Sequence, residues 1–412
     1  MPHDCDTLIV GAGPAGCAAA YDLARAGHRV LLLDRRNFPR PKACACGLTR
    51  KTLAALRYSV DPIIERICHE IVLQPPQTQS DKILGAPSMT ASPSWVGSQN
   101  ARTRDLRIRT RTPICAMAVR ERFDAFCLEQ TLAVGAAFKK IESILALREL
   151  PTHIELDVTT ASGRETLTAP VLIGADGSNG QTRNLANHTT DPAWLSRGFA
   201  LEATVPYAVL PSPLPAGMAP HDLIFDFAPL AGGYGWLFPK GDHINIGVGA
   251  FAPQATGESH LKLVTRDLLT RYIQRKLGID LTHVNAHITG QHLGMGGHAY
   301  TPHGRMLLTG DAAGLVDPLT GEGIHSAIVS GQAAAAAILS DAPDIAAAYG
   351  RHLHPLQQTL AFSHRAARHF YATPERGFRV MRTPLLRSLV LKTYADGIPH
   401  TRLLTTLARL VV

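Results

Sequence analysis

Hydrophobic and polar positions change rhythm several times along this chain, and each rhythm predicts an element. DTLIVGAGPAGCAAAYDLARAGHRVLLLD reads as a continuous apolar strand, a glycine loop, an alanine-rich helix and a second apolar strand. ILGAPSMTASPSWVGSQNAR then has the Pro/Ser/Gly texture of a loop or excursion. DLRIRTR alternates like a half-buried strand, whereas AVRERFDAFCLEQTLAVG repeats apolar residues at helical spacing. HIELDVTTASGRETLTAPVLIGADG predicts a hairpin followed by a buried strand. Between about 188 and 290, FALEATV, DLIFDFA and HINIGVGAF predict an antiparallel sheet, and LKLVTRDLLTRYIQRKLG a helix after it. The apolar strand RMLLTGD leads into GDAAGLVDPLTGEGIHSAIVSG, a Gly/Ala/Pro-rich loop opening into a helix. Beyond about residue 341 the tail reads as helical, with arginines spaced between apolar residues.

Two of these junctions carry chemistry. In the first, Gly11-x-Gly13-x-x-Gly16 sits between a strand and a helix, and Asp34 ends the next strand. That is the context a dinucleotide fingerprint requires: Gly11 makes the turn, Gly13 lets backbone approach a pyrophosphate, Gly16 lets the helix pack on the strand, and Asp34 takes ribose hydroxyls. In the second, Asp311 precedes a loop whose Gly314, Gly321 and Gly323 let backbone pass close to a flat ligand. The helix after Gly323 aims unpaired N–H groups, carrying roughly half a positive charge, at an anionic or electron-rich edge. Packing alone could explain the glycines of the second loop. A nicotinamide enzyme has no need of a distant Asp-Gly loop for a ribityl chain, so the two junctions together imply FAD.

The expected fold is therefore α/β: a Rossmann-type FAD-binding domain with an inserted antiparallel β-sheet substrate domain and a helical C-terminal region. The boundaries run 1–75, 102–187 and 291–340 for the FAD domain, 76–101 and 188–290 for the substrate domain, and 341–412 for the helical region. At 412 residues and 45% hydrophobic content, the chain can bury a core large enough for two domains. No apolar run reaches the roughly 18 residues of a membrane span. The Rossmann strand begins at the N-terminus, which predicts no signal peptide and a cytoplasmic protein. The 7 cysteines run from Cys5 to Cys127 with none afterwards, which fits reduced thiols. Cys44-x-Cys46 lacks the second pair of a zinc site, there is no HExxH among the 19 histidines, and His352-x-His354 fits a solvated helix face; no metal is expected. The net charge of +8 favours an anionic substrate or membrane surface. Nucleic acid is disfavoured, because aromatics are only 6% and no basic cluster is interleaved with them.

Several of these segments together resemble the geranylgeranyl reductase family of FAD-dependent oxidoreductases, within the wider group that shares the p-hydroxybenzoate hydroxylase fold. The resemblance extends to about residue 340. Gly11-Ala-Gly-Pro-Ala-Gly16 resembles the first motif, Arg120 with Phe123-Asp124 the Arg-x-x-Phe-Asp helix start, Gly174-Ala-Asp-Gly177 the middle flavin motif, and the Asp311 loop the last. GGYGWLFPK is the most family-specific stretch, since Tyr-x-Trp-x-Phe-Pro is typical of these reductases. PKACACGLT is similar to Lys-x-Cys-Gly-Gly-Gly-Leu at Lys42, Cys44, Gly47 and Leu48, but Ala45 and Cys46 stand where the family has glycines. The resemblance implies FAD contacts from Gly11, Gly13, Ala15 and Gly16, from Asp34 and Arg35, from Cys44, Ala45 and Gly47, from Arg120 and Ile144, and from Asp311, Gly323 and Ile324. It implies NAD(P)H or another reductant as the electron donor.

Tyr234, Trp236 and Phe238 alternate in one strand, so they share a face. That face is either core packing or the wall of a substrate pocket over the flavin, where aromatic rings would stabilise an electron-deficient carbon. Cys44 is either a small buried hydrophobe or part of the same wall. The leading expectation is reduction of carbon–carbon double bonds in an isoprenoid chain, with Cys44, Tyr234 and Trp236 catalytic. An aromatic monooxygenase or halogenase on the same fold is the alternative, although halogenases show Trp-x-Trp-x-Ile-Pro where this chain has Tyr234-Gly-Trp236-Leu-Phe238-Pro239. A quinone-reducing electron-transfer protein would add an iron–sulfur cluster, for which no cysteine after Cys127 is available. A prenyl-binding escort protein is the non-enzymatic reading; the intact Asp311 loop favours the enzyme. TRLLTTLARLVV, with Arg402 and Arg409 beside apolar residues, is expected either to dock on the body or to associate peripherally with the inner face of an anionic membrane.

Overall fold

The computed structural model describes residues 3–76, 105–187, 193–211, 223–251, 259–281, 284 and 286–397. Most of the 76–101 excursion and all of TRLLTTLARLVV lie outside the described residues.

Five strands form a parallel sheet in the order Met306–Leu308, Val171–Gly174, Thr7–Val10, Val30–Asp34 and Ala137–Lys140. Every residue of Thr7–Val10 and of Val171–Gly174 is buried. Central parallel strands are covered on both faces, so their sequences read as unbroken apolar runs rather than alternating ones. The glycine-loop helix Pro14–Arg25 packs closely on the helix Ile324–Leu339. A Cβ on Gly331 would lie 2.2 Å from the Ala15 carbonyl oxygen, so only glycine allows the two backbones this near. That contact joins the two ligand-facing helices into one unit.

The larger sheet has seven strands, in the order Ile288–Met295, Ser196–Pro206, His243–Ala250, Gly233–Pro239, Leu223–Asp226, Glu70–Gln74 and Leu106–Arg109. It is antiparallel except where Leu223–Asp226 runs parallel to Glu70–Gln74. The parallel pair brings together strands about 150 residues apart in the chain, with no hairpin to signal it. Behind this sheet, Leu201, Ala203, Val205, Ile246 and Val248 share a core with Leu269, Tyr272 and Ile273 of the helix Arg266–Leu277. That helix is closed at its start by Thr265 Oγ1, which accepts from Leu268 N at 3.1 Å, and at its end by Gly278 in the left-handed region.

The front face carries the opposite set of residues. Tyr234, Trp236 and Phe238 cluster there with Phe225 and Phe251, and with Phe378 and Ala395 from the C-terminal helices Pro374–Met381 and Pro384–Asp396. The helix Ile345–Ala372 leads to this cover and exposes His352 and His354 to solvent, as the sequence predicts. No described helix is long and apolar enough to cross a membrane.

Candidate active site

Between the parallel sheet and the front face of the large sheet runs one cavity of about 240 Å³, reaching from Gly11 and Asp34 at one end to Trp236 and Tyr394 at the other. Its glycine loop divides into two kinds of glycine. Gly11 has φ +104° and Gly16 would set a Cβ 1.9 Å from the Gly11 oxygen, so the protein itself demands both. Gly13 has no such demand, since the nearest atom to its Cβ would be Arg40 Nη2 at 3.6 Å. A side chain there would project into the cavity, which is the space a pyrophosphate needs. The helices starting at Pro14 and Ile324 both open without a side-chain cap, leaving their first N–H groups for a ligand.

Charge is concentrated beside Gly13. Arg120 Nε donates to Asp124 Oδ1 at 2.7 Å, and Arg40 pairs with the other oxygen of Asp124 at 3.2 Å. Arg40 Nε finds no hydrogen-bond partner among the described residues, a buried donor that an anionic phosphate would satisfy. Lys42 sits near Asp311 and Arg120; burial first, and then Arg120, lower its pKa. Asp34 accepts from Ala12 N and Arg36 N, each at 2.9 Å, and Arg35 is at the rim. Asp311 occupies a short turn, Gly310–Ala313, and burial raises its carboxyl above the usual range against the pull of Lys42 and Arg120. The turn is held by Arg183, which is fully buried and donates to the carbonyls of Ala312 and Ser178. These residues fit an extended dinucleotide: donors and cations at the pyrophosphate end, carboxylates at the two sugar-like chains.

Ala15, Ile144, Gly323 and Ile324 also line this cavity, as do Cys44, Ala45 and Gly47. Cys46 N donates to Cys44 Sγ at 3.3 Å, and Cys46 holds φ +47° where the resembled motif has glycine. The Cys46 thiol, followed by Arg120, holds Cys44 well below the usual thiol range, while contact with Cys44 and burial push Cys46 up. Tyr234 and Trp236 line the far end. The Tyr234 hydroxyl donates to the Thr320 carbonyl of the last loop, and Trp236 Nε1 donates to Asn245 Oδ1 at 2.7 Å. The aromatic face is therefore both packed and cavity-lining, and the two readings of it are compatible.

Four positions at or beside the cavity escape sequence reasoning. Arg40 and Glu202 line the cavity, Arg183 holds the last loop, and the buried Lys240 donates to the carbonyls of Ala45 and, at 2.8 Å, Ala118. A lysine directly after Phe-Pro, and a glutamate inside the apolar FALEATV, were the available signals.

This fold and cavity define an FAD-dependent oxidoreductase. Residues 4–341 match the FAD binding domain family, and the chain belongs to it. It is 31% identical over 366 residues to a menaquinone reductase of Mycobacterium tuberculosis, covering 84% of this chain and 79% of the relative. It is 26% identical over 339 residues to digeranylgeranylglycerophospholipid reductase 2 of Methanosphaera stadtmanae, covering 80% and 76%. A geranylgeranyl bacteriochlorophyll reductase-like structure from Thermoplasma acidophilum superposes with a TM-score of 0.72 at 19% identity, covering 96% of this chain and 97% of that one. At that identity the likeness shows the fold.

Proposed function

We propose that this protein reduces carbon–carbon double bonds of an isoprenoid chain. The observation that carries the reading is the aromatic and apolar wall of Phe225, Tyr234, Trp236 and Phe238 at the end of a cavity whose other end is built for FAD. Each isoprene unit placed against such a wall contributes roughly 4 kcal/mol, at ~0.8 per buried methylene. The relatives named for isoprenoid lipids and for menaquinone support the same substrate class. Reduced FAD supplies hydride in this chemistry.

The chain's own residues do the rest. Gly11, Gly13, Ala15 and Gly16 with Arg40 and Arg120 hold the pyrophosphate, Asp34 and Arg35 the adenosine end, and Asp311 the ribityl chain. Cys44, Ala45, Gly47, Gly323 and Ile324 would hold the flavin ring, and Ile144, in the strand after the Ile141–Asp34 backbone pair, the adenosine end. The uncapped helix at Ile324 would favour negative charge on a reduced flavin ring held there. Trp236 presents its face to the electron-poor carbon, and the C-terminal helices keep water out. NAD(P)H or another small reductant supplies the electrons, and the protein works at the periphery of an anionic membrane from which the lipid is drawn.

The test is anaerobic reduction of the FAD-loaded protein, followed by reoxidation with prenyl diphosphates, prenyl lipids, prenylquinones and phenols. Reoxidation by prenyl compounds with loss of a double bond in the product supports the reading. Turnover of phenols with oxygen alone would replace it with the aromatic monooxygenase or halogenase chemistry.

A further inference from the structure

We infer that Glu202 is the acid that delivers a proton into the cavity, to the carbon beside the one that receives hydride. The inference rests on the alkene-reduction reading above. In the strand Ser196–Pro206, Leu201, Ala203 and Val205 pack behind the sheet, so Ala200 and Glu202 point forward into the cavity. Pairing sets Glu202 opposite Gly247, and Gly247 opposite Trp236 on the next strand. Gly247 leaves that row bare, for a Cβ there would lie 2.1 Å from the Trp236 ring. Acid and indole thus flank one glycine on the same face, with the indole leaning over it.

Glu202 is only 8% exposed, and no ion pair holds it among the described residues. One carboxylate oxygen accepts Cys44 N–H at 2.8 Å. The groups around it are Cys44 and Cys46 from the loop, Lys240 from the end of Gly233–Pro239, and Asn245 from His243–Ala250. The flanking strand Ile288–Met295 sets the uncharged Thr289 opposite it. Lys240 Nζ is turned to backbone carbonyls rather than to the carboxylate. Burial, and after it the charge of Cys44, push Glu202 up to about 7. Among the neighbouring groups, the Cys46 thiol holds Cys44 low, and the Tyr234 hydroxyl, which donates to the Thr320 carbonyl, is raised by burial and is the weaker acid.

In the step, the π bond of the alkene breaks and two C–H bonds form. One takes hydride, with its two electrons, from the reduced cofactor, and the other takes the Glu202 proton. Glu202 is left as a carboxylate and regains a proton from solvent before the next turnover.

Glu202→Gln keeps an oxygen for Cys44 N–H while removing the proton, and Glu202→Ala removes both. The Gln variant is expected to fold, bind FAD with the parent spectrum and slow prenyl-driven reoxidation by about a hundredfold, the lower end for loss of a general acid. The parent rate should fall as pH rises through about 7, and the Gln variant should lack that limb. Infrared spectroscopy should show a protonated-carboxyl stretch that disappears through the same pH range in the parent and is missing from the variant. A Gln variant that reoxidises at the parent rate with the parent pH profile, while Ala fails, makes Glu202 a loop anchor and overturns the inference. If no prenyl compound reoxidises the parent, the alkene reading falls by itself. The infrared titration then decides Glu202: no titrating band overturns it, and a band titrating near neutrality keeps it as the acid of the cavity for whichever acceptor the screen finds.

Discussion

Single residues separate what the fold needs from what the ligand needs. Gly13→Val is expected to leave the fold intact and the protein colourless after incubation with FAD, because its side chain meets only cavity and the end of Arg40. Gly16→Ala, by contrast, forces a Cβ against the Gly11 carbonyl and should lower the melting temperature, at an overpacking cost of about 1–3 kcal/mol. Flavin absorbance and thermal melts on the two variants check both outcomes; an FAD-binding Gly13→Val protein would contradict the pyrophosphate assignment. Asp311→Ala should weaken FAD by tenfold or more, the usual effect of losing a charged hydrogen-bond acceptor worth about 1.5–3 kcal/mol, as read by flavin fluorescence on dilution.

At the level of elements, the strand Gly233–Pro239 is buried on both sides, and its alternation assigns each residue a role. Leu237 faces the helix behind, whereas Trp236 faces the cavity. Trp236→Leu is expected to keep FAD, to lower the melting temperature through loss of the buried indole and its hydrogen bond to Asn245, and to slow substrate-driven reoxidation more than tenfold, from a loss of ~2 kcal/mol in transition-state stabilisation. Parent-like reoxidation would reduce the aromatic row to packing. The C-terminal helices bear on a second expectation. Val380 and Leu385 are about half exposed, beside exposed Arg379 and Arg382. Deleting residues after Pro399 should lower sedimentation with anionic liposomes. If instead the helical pair makes the contact, truncation will leave sedimentation unchanged and Val380→Ser with Leu385→Ser will reduce it.

For the whole molecule, Lys240 ties the seven-stranded sheet to the loop at Ala45 and to the strand Cys115–Ala118. Burial lowers its pKa, while Cys46, Cys44, Cys115 and Glu202 favour its charge. Lys240→Met should strip buried carbonyls of their donor, destabilise the protein by about 2 kcal/mol or more, and loosen FAD along with it. A calorimetric melt with and without FAD measures both effects. A variant with parent stability would show that the Lys240 hydrogen bonds contribute little to this junction. Local sequence determined the parts whose physics is local: the glycine loop, the Asp34 strand end, the 154–169 hairpin and the Asp311 turn each announce themselves within a few residues, whereas the helix read from Leu261 begins only at Arg266, after the Thr265 cap. Alternation likewise gave Tyr234 and Trp236 a common face. Only the tertiary structure decided that Glu70–Gln74 and Leu106–Arg109 join the large sheet, since strand pairing across long stretches of chain leaves no periodic trace. It alone placed Glu202, Lys240 and Cys44 together from segments nearly 200 residues apart, because burial and charge become properties of a residue only once its neighbours are fixed.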